Sequence, residues 1–229
     1  MTLSDLPYIL LNFASSVDGK IATEDRSQLR FSSDVDRDLM DEIRSRVDAV
    51  LVGAATIRAE DPPTRIRSAG RRKARIQAGK SRHPLSVVLT ASRQLPFDGR
   101  YFKTPGVRKL IVTTESADPT RLQAARAVAT VLQIGTDTVD LLALCRQLKE
   151  LGIDRLLVEG GGAVNMAFFS QGLVNEVFMT LCPVIIGGRN APTPVDGGGF
   201  TPHTLLKLKL LESRQIGDEL FQHYAVLPR

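Results

Sequence analysis

The chain has 229 residues, 43% of them apolar and 24% charged, a balance that excludes a disordered or coiled-coil protein and allows one domain with a substantial core. No apolar run reaches the ~18 residues of a membrane span and the first residues lack a secretory pattern, so a cytoplasmic protein with no membrane partner is expected. The formal net charge of +5 is unevenly spread: Arg65, Arg67, Arg71, Arg72, Lys73, Arg75, Lys80 and Arg82 fall in one stretch without an acidic residue. Cys145 and Cys182 have no C-x-x-C spacing and read as buried, reduced thiols. His83, His203 and His223 have no ligand-like spacing, so no metal site is expected.

In chain order, residues 8–14 form an apolar strand interrupted by Asn12, followed by a turn at Asp18-Gly19. An Asn inside a buried strand needs hydrogen-bond partners, either neighbouring backbone or a ligand. Ser33-x-x-Asp36 is a capping box, and Val35, Leu39, Ile43 and Val47 recur every four residues, which predicts an amphipathic helix over 33–46. Residues 48–53 read as a central strand, followed by a short helix closed by Pro62-Pro63. Thr56, Glu60 and Asp61 are thereby set at the carboxyl end of a strand. The basic stretch, about 64–83, reads as a loop, either solvated and mobile or drawing phosphorylated small molecules toward a cleft. It carries no interleaved aromatic residue on which bases would stack, so no nucleic-acid partner is expected.

A strand over 85–90 leaves into Ala91-Ser92-Arg93, whose hydroxyl and guanidinium suit an adenosine 2′-phosphate. Strands follow over 109–114 and 129–134 with a helix over 119–127 between them, then a helix from Thr138 stopped by Gly152. Leu156-Leu157-Val158 ends at Glu159-Gly160-Gly161-Gly162, and Val164, Phe168 and Gly172 resume at four-residue spacing. That is strand, tight turn, helix: an anion site for a pyrophosphate at a helix N-terminus, or a glycine-rich turn that only saves space. It is not the Rossmann fingerprint, because Asn165 stands where the last glycine would be. Glu159 lies at the carboxyl end of a strand, where open α/β sheets place their ligands. A strand over 177–181, a Pro/Gly-rich loop over 189–202 and strands over 205–213 and 219–227 complete the chain. The last two have no helix between them and form an antiparallel edge pair. The expectation is a single α/β domain, 1–229, with a mainly parallel mixed sheet flanked by helices.

Assembled, these segments resemble the riboflavin-biosynthesis reductase family. The resemblance rests on Ala14-Ser15-Ser16-Val17-Asp18-Gly19-Lys20-Ile21-Ala22, on Asp48-Ala49-Val50-Leu51-Val52-Gly53 through Thr56 to Asp61-Pro62, on Val158-Glu159-Gly160-Gly161, on Gly172-Leu173-Val174-Asn175-Glu176 and on Pro183-Val184-Ile185-Ile186-Gly187. It implies a dihydrofolate-reductase-like fold, a homodimer, NADPH as hydride donor, and a ribosylaminopyrimidine 5′-phosphate whose ribosyl group is reduced to a ribityl chain. By position it implies cofactor contacts at Thr56, Glu60, Thr90, Ala91, Ser92, Arg93, Gly161, Gly162, Ala163 and Val164. Arg44 and Arg67 resemble substrate-side basic positions, although Arg44 also fits a solvated surface arginine. Glu159 resembles the acidic residue beside the substrate, and Asn12 with the missing deaminase zinc signature implies the stand-alone type. Reduction needs a proton as well as a hydride, which makes Glu159 the expected proton relay and Asp61 the second candidate. The rival expectations are a pteridine, dihydrofolate or orphan reductase of the same fold and, more remotely, a nucleic-acid binder acting through the basic loop.

Overall fold

Each strand read from an apolar run has a counterpart in the computed structural model, which describes residues 5–26, 29–91 and 95–228. The order is β1 (Tyr8–Ser16), α1 (Asp34–Arg46), β2 (Ala49–Gly53), α2 (Ala54–Glu60), α3 (Ala69–Gln77), β3 (Leu85–Leu89), α4 (Arg100–Lys103), β4 (Lys109–Thr113), α5 (Pro119–Arg126), β5 (Thr130–Gln133), α6 (Leu141–Glu150), β6 (Arg155–Val158), α7 (Gly162–Ser170), β7 (Glu176–Cys182), β8 (Leu208–Ile216) and β9 (Glu219–Val226). Two compact units result. The first holds Asp41–Leu157 with the segment ahead of Tyr8, and the second holds Tyr8–Met40 with the chain from Val158 onward.

In the first unit the strands lie in the order β5-β4-β3-β2-β6, and β2 through β5 pair in parallel, with Val50 opposite Ser86 and Val87 opposite Leu110. Val50, Leu51, Val87, Val88, Val112, Leu156 and Leu157 are all fully buried, as the unbroken apolar runs of parallel strands require. Helix α6 adds Leu144, Cys145 and Leu148 to this core. Its N-cap is Asp140, whose side chain accepts from Ala143 N–H, and so the helix starts three residues after the expected Thr138. In the second unit the order is β1-β7-β9-β8: β1 and β7 are parallel, and β9 pairs antiparallel with β7 and β8. Both cysteines are buried, and burial pushes each thiol up to about 12.

Local chemistry explains the junctions. Ser33 caps α1 as expected, its Oγ accepting from Val35 and Asp36 N–H at 3.2 and 3.3 Å. The reciprocal half of the capping box is different: Glu219, from β9, accepts from Ser33 N–H at 2.8 Å, and Asp36 is turned elsewhere. Asp18 accepts from Ser16 Oγ–H and from Ile186 and Gly187 N–H at 2.6, 3.0 and 2.7 Å, which holds its carboxyl down at about 2. The Asp-Gly turn therefore fastens the loop after β7. Strand β8 lies three residues later than its expected position; all nine of its residues are exposed, so no inside-outside alternation marked its ends.

The basic stretch is not a loop throughout, because α3 occupies its centre. Arg75 is the one buried residue of that helix, so no apolar stripe announces it. Polar contacts hold it instead. Asp41 accepts from Arg67 and Ser68 N–H and pairs with Arg71 at 3.3 Å. Arg75 donates to the carbonyls of Ser45, Val47 and Ser81, meeting orphan acceptors where α1 ends. Asp41→Ala strands two N–H groups and a guanidinium at once, and is expected to cost about 3 kcal/mol in urea unfolding and to speed hydrogen exchange across 67–77. An unfolding midpoint within error of wild type contradicts this account of α3.

Candidate active site

In the first unit, Thr56 is half-buried on α2, which follows directly from the buried β2. Glu60 is exposed at the end of α2, and Asp61 has left-handed backbone, φ 45°. Asp61 is committed to structure: its carboxylate accepts from Arg100 and Tyr101 N–H, the start of α4, while Arg100 returns Nε to Asp61 O at 3.0 Å and Nη2 to Glu60 O at 3.2 Å. The two helix ends cap one another, and the Asp61 carboxylate is engaged in this clasp.

Beyond β3 and β4 the same unit holds a cavity of about 710 Å³. Thr90 and Ala91 line it from the end of β3, Thr113 and Ser116 from the end of β4, and Thr120 and Arg121 from α5. Leu95, Phe97 and Ile111 supply an apolar wall. Ser92 and Arg93, expected beside it, lie outside the described residues. Arg44 is buried, 6% exposed, which removes the solvated-surface alternative, whereas Arg67 presents its side chain to solvent.

In the second unit, Glu159 is half-buried just past β6. Helix α7 begins at Gly162 with Gly161 as N-cap and no side-chain cap, so its first N–H groups are not answered by a capping side chain. Gly162 itself serves close approach: a Cβ there would lie 2.5 Å from Thr193 O and 2.6 Å from Asp196 Oδ2. Ala163 is exposed and Val164 half-buried in that first turn. Asn165, the residue that breaks the Rossmann pattern, is fully buried and donates Nδ2 to Pro194 O at 2.8 Å. The turn thus saves space on the side of Thr193 and Asp196, and the first turn of α7 has no side-chain cap.

Asn12 on β1 stands opposite Phe178 in the parallel register, on the face of β7 that also carries Thr180 and Cys182. Its amide has no protein partner among the described residues. A cluster of carboxyls occupies that face. Asp36 is bonded by Thr180 and Ser32 hydroxyls and feels the charges of Glu219 and Glu159; burial is the main cause that pushes its carboxyl above the ordinary range. Glu219 accepts from Ser33 and Cys182. Among the described residues no group of His, Cys, Asp and Glu is arranged to hold a metal ion, and no helix is long and apolar enough to cross a membrane.

This arrangement can be compared with known proteins. The RibD C-terminal domain model matches residues 7–221. The chain belongs to the RibD C-terminal domain family. It is 36% identical over 212 residues to the 2,5-diamino-6-ribosylamino-4(3H)-pyrimidinone 5′-phosphate reductase of Archaeoglobus fulgidus, covering 93% of this chain and 94% of that one. It is 35% identical over 221 residues to the protein of the same name from Methanothermobacter thermautotrophicus, covering 96% and 98%. A pyrimidine reductase-like protein from Corynebacterium diphtheriae superposes with a TM-score of 0.86 at 23% identity, over 100% of this chain and 96% of that one. The Saccharomyces cerevisiae riboflavin biosynthesis reductase Rib7 superposes with 0.70 at 16% identity, over 99% and 93%. The fold is the dihydrofolate-reductase-like one, an α/β fold with a mostly parallel sheet and antiparallel C-terminal strands.

In this RibD-family chain the sequence missed the carboxyl cluster of Asp36 and Glu219. Ser33-x-x-Asp36 was visible only as a cap, and nothing near Glu219 ties it to residue 33. The α5 side of the cavity was equally silent, although Thr113, Ser116 and Asp118-Pro119 do mark a third strand end followed by a helix start. Asp36 generates a prediction. Its folded pKa lies above its unfolded one, so the folded chain binds the proton more tightly and stability falls as pH rises above the unfolded value of about 3.8. Asp36→Asn should therefore raise the thermal midpoint at pH 7 by about 2–4 °C, the shift produced by 1 kcal/mol in a domain of this size, and flatten its pH dependence between pH 4 and 7. A lowered midpoint at pH 7 with an unchanged pH profile contradicts the assignment.

Proposed function

We propose that this chain reduces the ribosyl group of a diaminopyrimidinone ribosylamino 5′-phosphate to a ribityl chain, with NADPH as hydride donor. One observation carries the reading: 93% of the chain matches a relative named for a reductase of that pyrimidinone phosphate. The site residues fit the cofactor. In the cavity of about 710 Å³, hydroxyls at Thr90, Ser116 and Thr120, a guanidinium at Arg121 and apolar walls suit an adenosine carrying a 2′-phosphate; of the two carboxylates in the same lining, Asp118 accepts from Arg121 N–H at the start of α5, and Asp137 is the other. Thr56 and the backbone of Gly161, Gly162, Ala163 and Val164 would hold the remainder, the last four through N–H groups at the start of α7.

NADPH, when bound, supplies hydride to C1′ of the opened sugar. The chain's own residues orient the substrate and manage the proton. Asn12 turns an open amide toward the pyrimidine, Arg44 and Arg67 provide cations for the 5′-phosphate, and Glu159 transfers the proton that completes reduction at nitrogen.

The active form we propose is a homodimer. Leu208, Leu210, Leu211 and Ile216 leave β8 an edge strand with apolar side chains 41–50% exposed, which a second copy of the chain would cover.

The test is turnover of the diaminopyrimidinone substrate followed by nicotinamide absorbance, with dihydrofolate in parallel. Oxidation of NADPH is expected with the first and none with the second. Glu159→Gln should lower kcat by about 100-fold or more while NADPH affinity stays within about twofold. Sedimentation of the same preparation should give twice the chain mass. Turnover of dihydrofolate alone, full kcat in Glu159→Gln, or a monomeric active species each removes the corresponding part of the proposal.

A further inference from the structure

The second unit carries a row of three side chains, two of which the proposed chemistry leaves unused. Phe178 on β7 stands opposite Asn12 on β1 and opposite His223 on β9, so the three share one face of the sheet in the order amide, benzyl ring, imidazole. The Phe178 and His223 rings are stacked, their centroids 4.0 Å apart and their planes 11° from parallel. Adjacent strands are spaced by about 4.8 Å, so the Asn12 and His223 backbones lie roughly 10 Å apart with Phe178 between them. Each of the three is half-buried.

The imidazole is held from one end. Its Nε2 lies 3.1 Å from Glu176 Oε2, and the other oxygen of that carboxylate accepts from the Tyr8 hydroxyl at 2.6 Å. A carboxylate only accepts, so Nε2 carries a hydrogen and Nδ1 of the neutral ring is left as an acceptor. Among the described residues none donates to Nδ1. Glu212, opposite His223 on β8, is engaged with Arg214 at 3.1 Å. The His223 side chain is 23% exposed and that of Glu176 19%, so the pair is partly desolvated and still reachable.

We propose that His223 is a specificity-determining residue that reads an N–H donor on one edge of a planar heterocycle, the other edge meeting the Asn12 amide and Phe178 making the apolar contact between them. Glu176 and Tyr8 are positioning residues: they fix the tautomer of the imidazole and do not touch the ligand. The identity of the ring rests on the reductase reading, in which the heterocycle is the pyrimidinone and the donor is its amino group at C2. A carbonyl in place of that amino group, as in the uracil counterpart, sets two acceptors against each other at Nδ1 and leaves both without a hydrogen. The row therefore selects the amino form of the ring over the oxo form.

The experiment uses the full chain at about pH 8, where an ordinary imidazole is neutral, and two stable ring probes, 2,5,6-triaminopyrimidin-4-one and 5,6-diaminouracil, which differ at C2 as amino against oxo. Nitrogen NMR of His223 is expected to show the Nε2–H tautomer and a shift of Nδ1 on binding the triamino probe. That probe should bind about tenfold more tightly than the uracil, the effect of one hydrogen bond lost with its acceptor left unmet. His223→Phe keeps a stacked ring and removes Nδ1, and should bring the two affinities within about twofold; Glu176→Gln, which frees the tautomer, should narrow the gap as well. The wild-type tautomer and ring preference decide the matter even where a variant fails to fold. Equal affinities or no binding of either probe in the wild type, an Nδ1–H tautomer, or the full preference retained in His223→Phe overturns the proposal. NADPH oxidation with the complete substrate is measured separately: turnover without ring preference removes the role of His223 alone, and ring preference without turnover removes the reductase reading alone.

Discussion

Strands β2, β3 and β6 are buried along most of their length, and the placing of polar groups follows from that constraint. Val50, Leu51, Val87, Val88, Leu156 and Leu157 leave no room for an unpaired polar group inside the sheet, where its desolvation would cost several kcal/mol. Polar chemistry is displaced to the strand ends. Thr56 stands after β2, Thr90 after β3, Ser116 after β4 and Glu159 after β6. The chain resumes at each of these points as a helix or a turn, so these polar groups sit at or just past the strand ends.

Charge is used inside the structure as much as at its site. Asp61 and Arg100 cap each other's helices, Glu219 completes the cap that Ser33 begins, and Asp41 and Arg75 tie an apolar-poor helix to the end of α1. These bonds answer helix ends that would otherwise be orphaned. Asp61 resembled a catalytic carboxylate by position, yet its oxygens are occupied by backbone N–H groups; Glu159 shares its surroundings with Asp36, whose buried carboxyl resists ionisation. The basic stretch uses its charge in the same way: Arg71 and Lys80 pair with carboxylates, and Arg72 and Arg75 donate to backbone carbonyls.

The apolar strands were legible in the sequence because their runs reflect burial on both faces, and the place of Glu159 just past β6 was legible because a carboxylate ends such a run. The Asp18-Gly19 turn and the glycine turn were visible for the same reason, each a break at a fixed place after a strand. Helix α3 was hidden because its contacts are made by Arg71, Arg72 and Arg75 rather than by an apolar stripe. The position of β8 was hidden because its fully exposed residues carry no periodic signal, and its register is set by pairing with β9. Glu219 reaches Ser33 across 186 residues, a distance at which no spacing rule operates.

The most direct test of the account is the equilibrium affinity of the purified chain for NADPH and NADH, followed by nicotinamide fluorescence. A hydroxyl-lined cavity after β3 with a guanidinium at Arg121 predicts micromolar NADPH binding and NADH binding weaker by about tenfold or more, the loss of one charge-assisted phosphate contact. Equal affinity for the two would contradict a 2′-phosphate site at this cavity, and binding of neither would contradict the reductase reading itself.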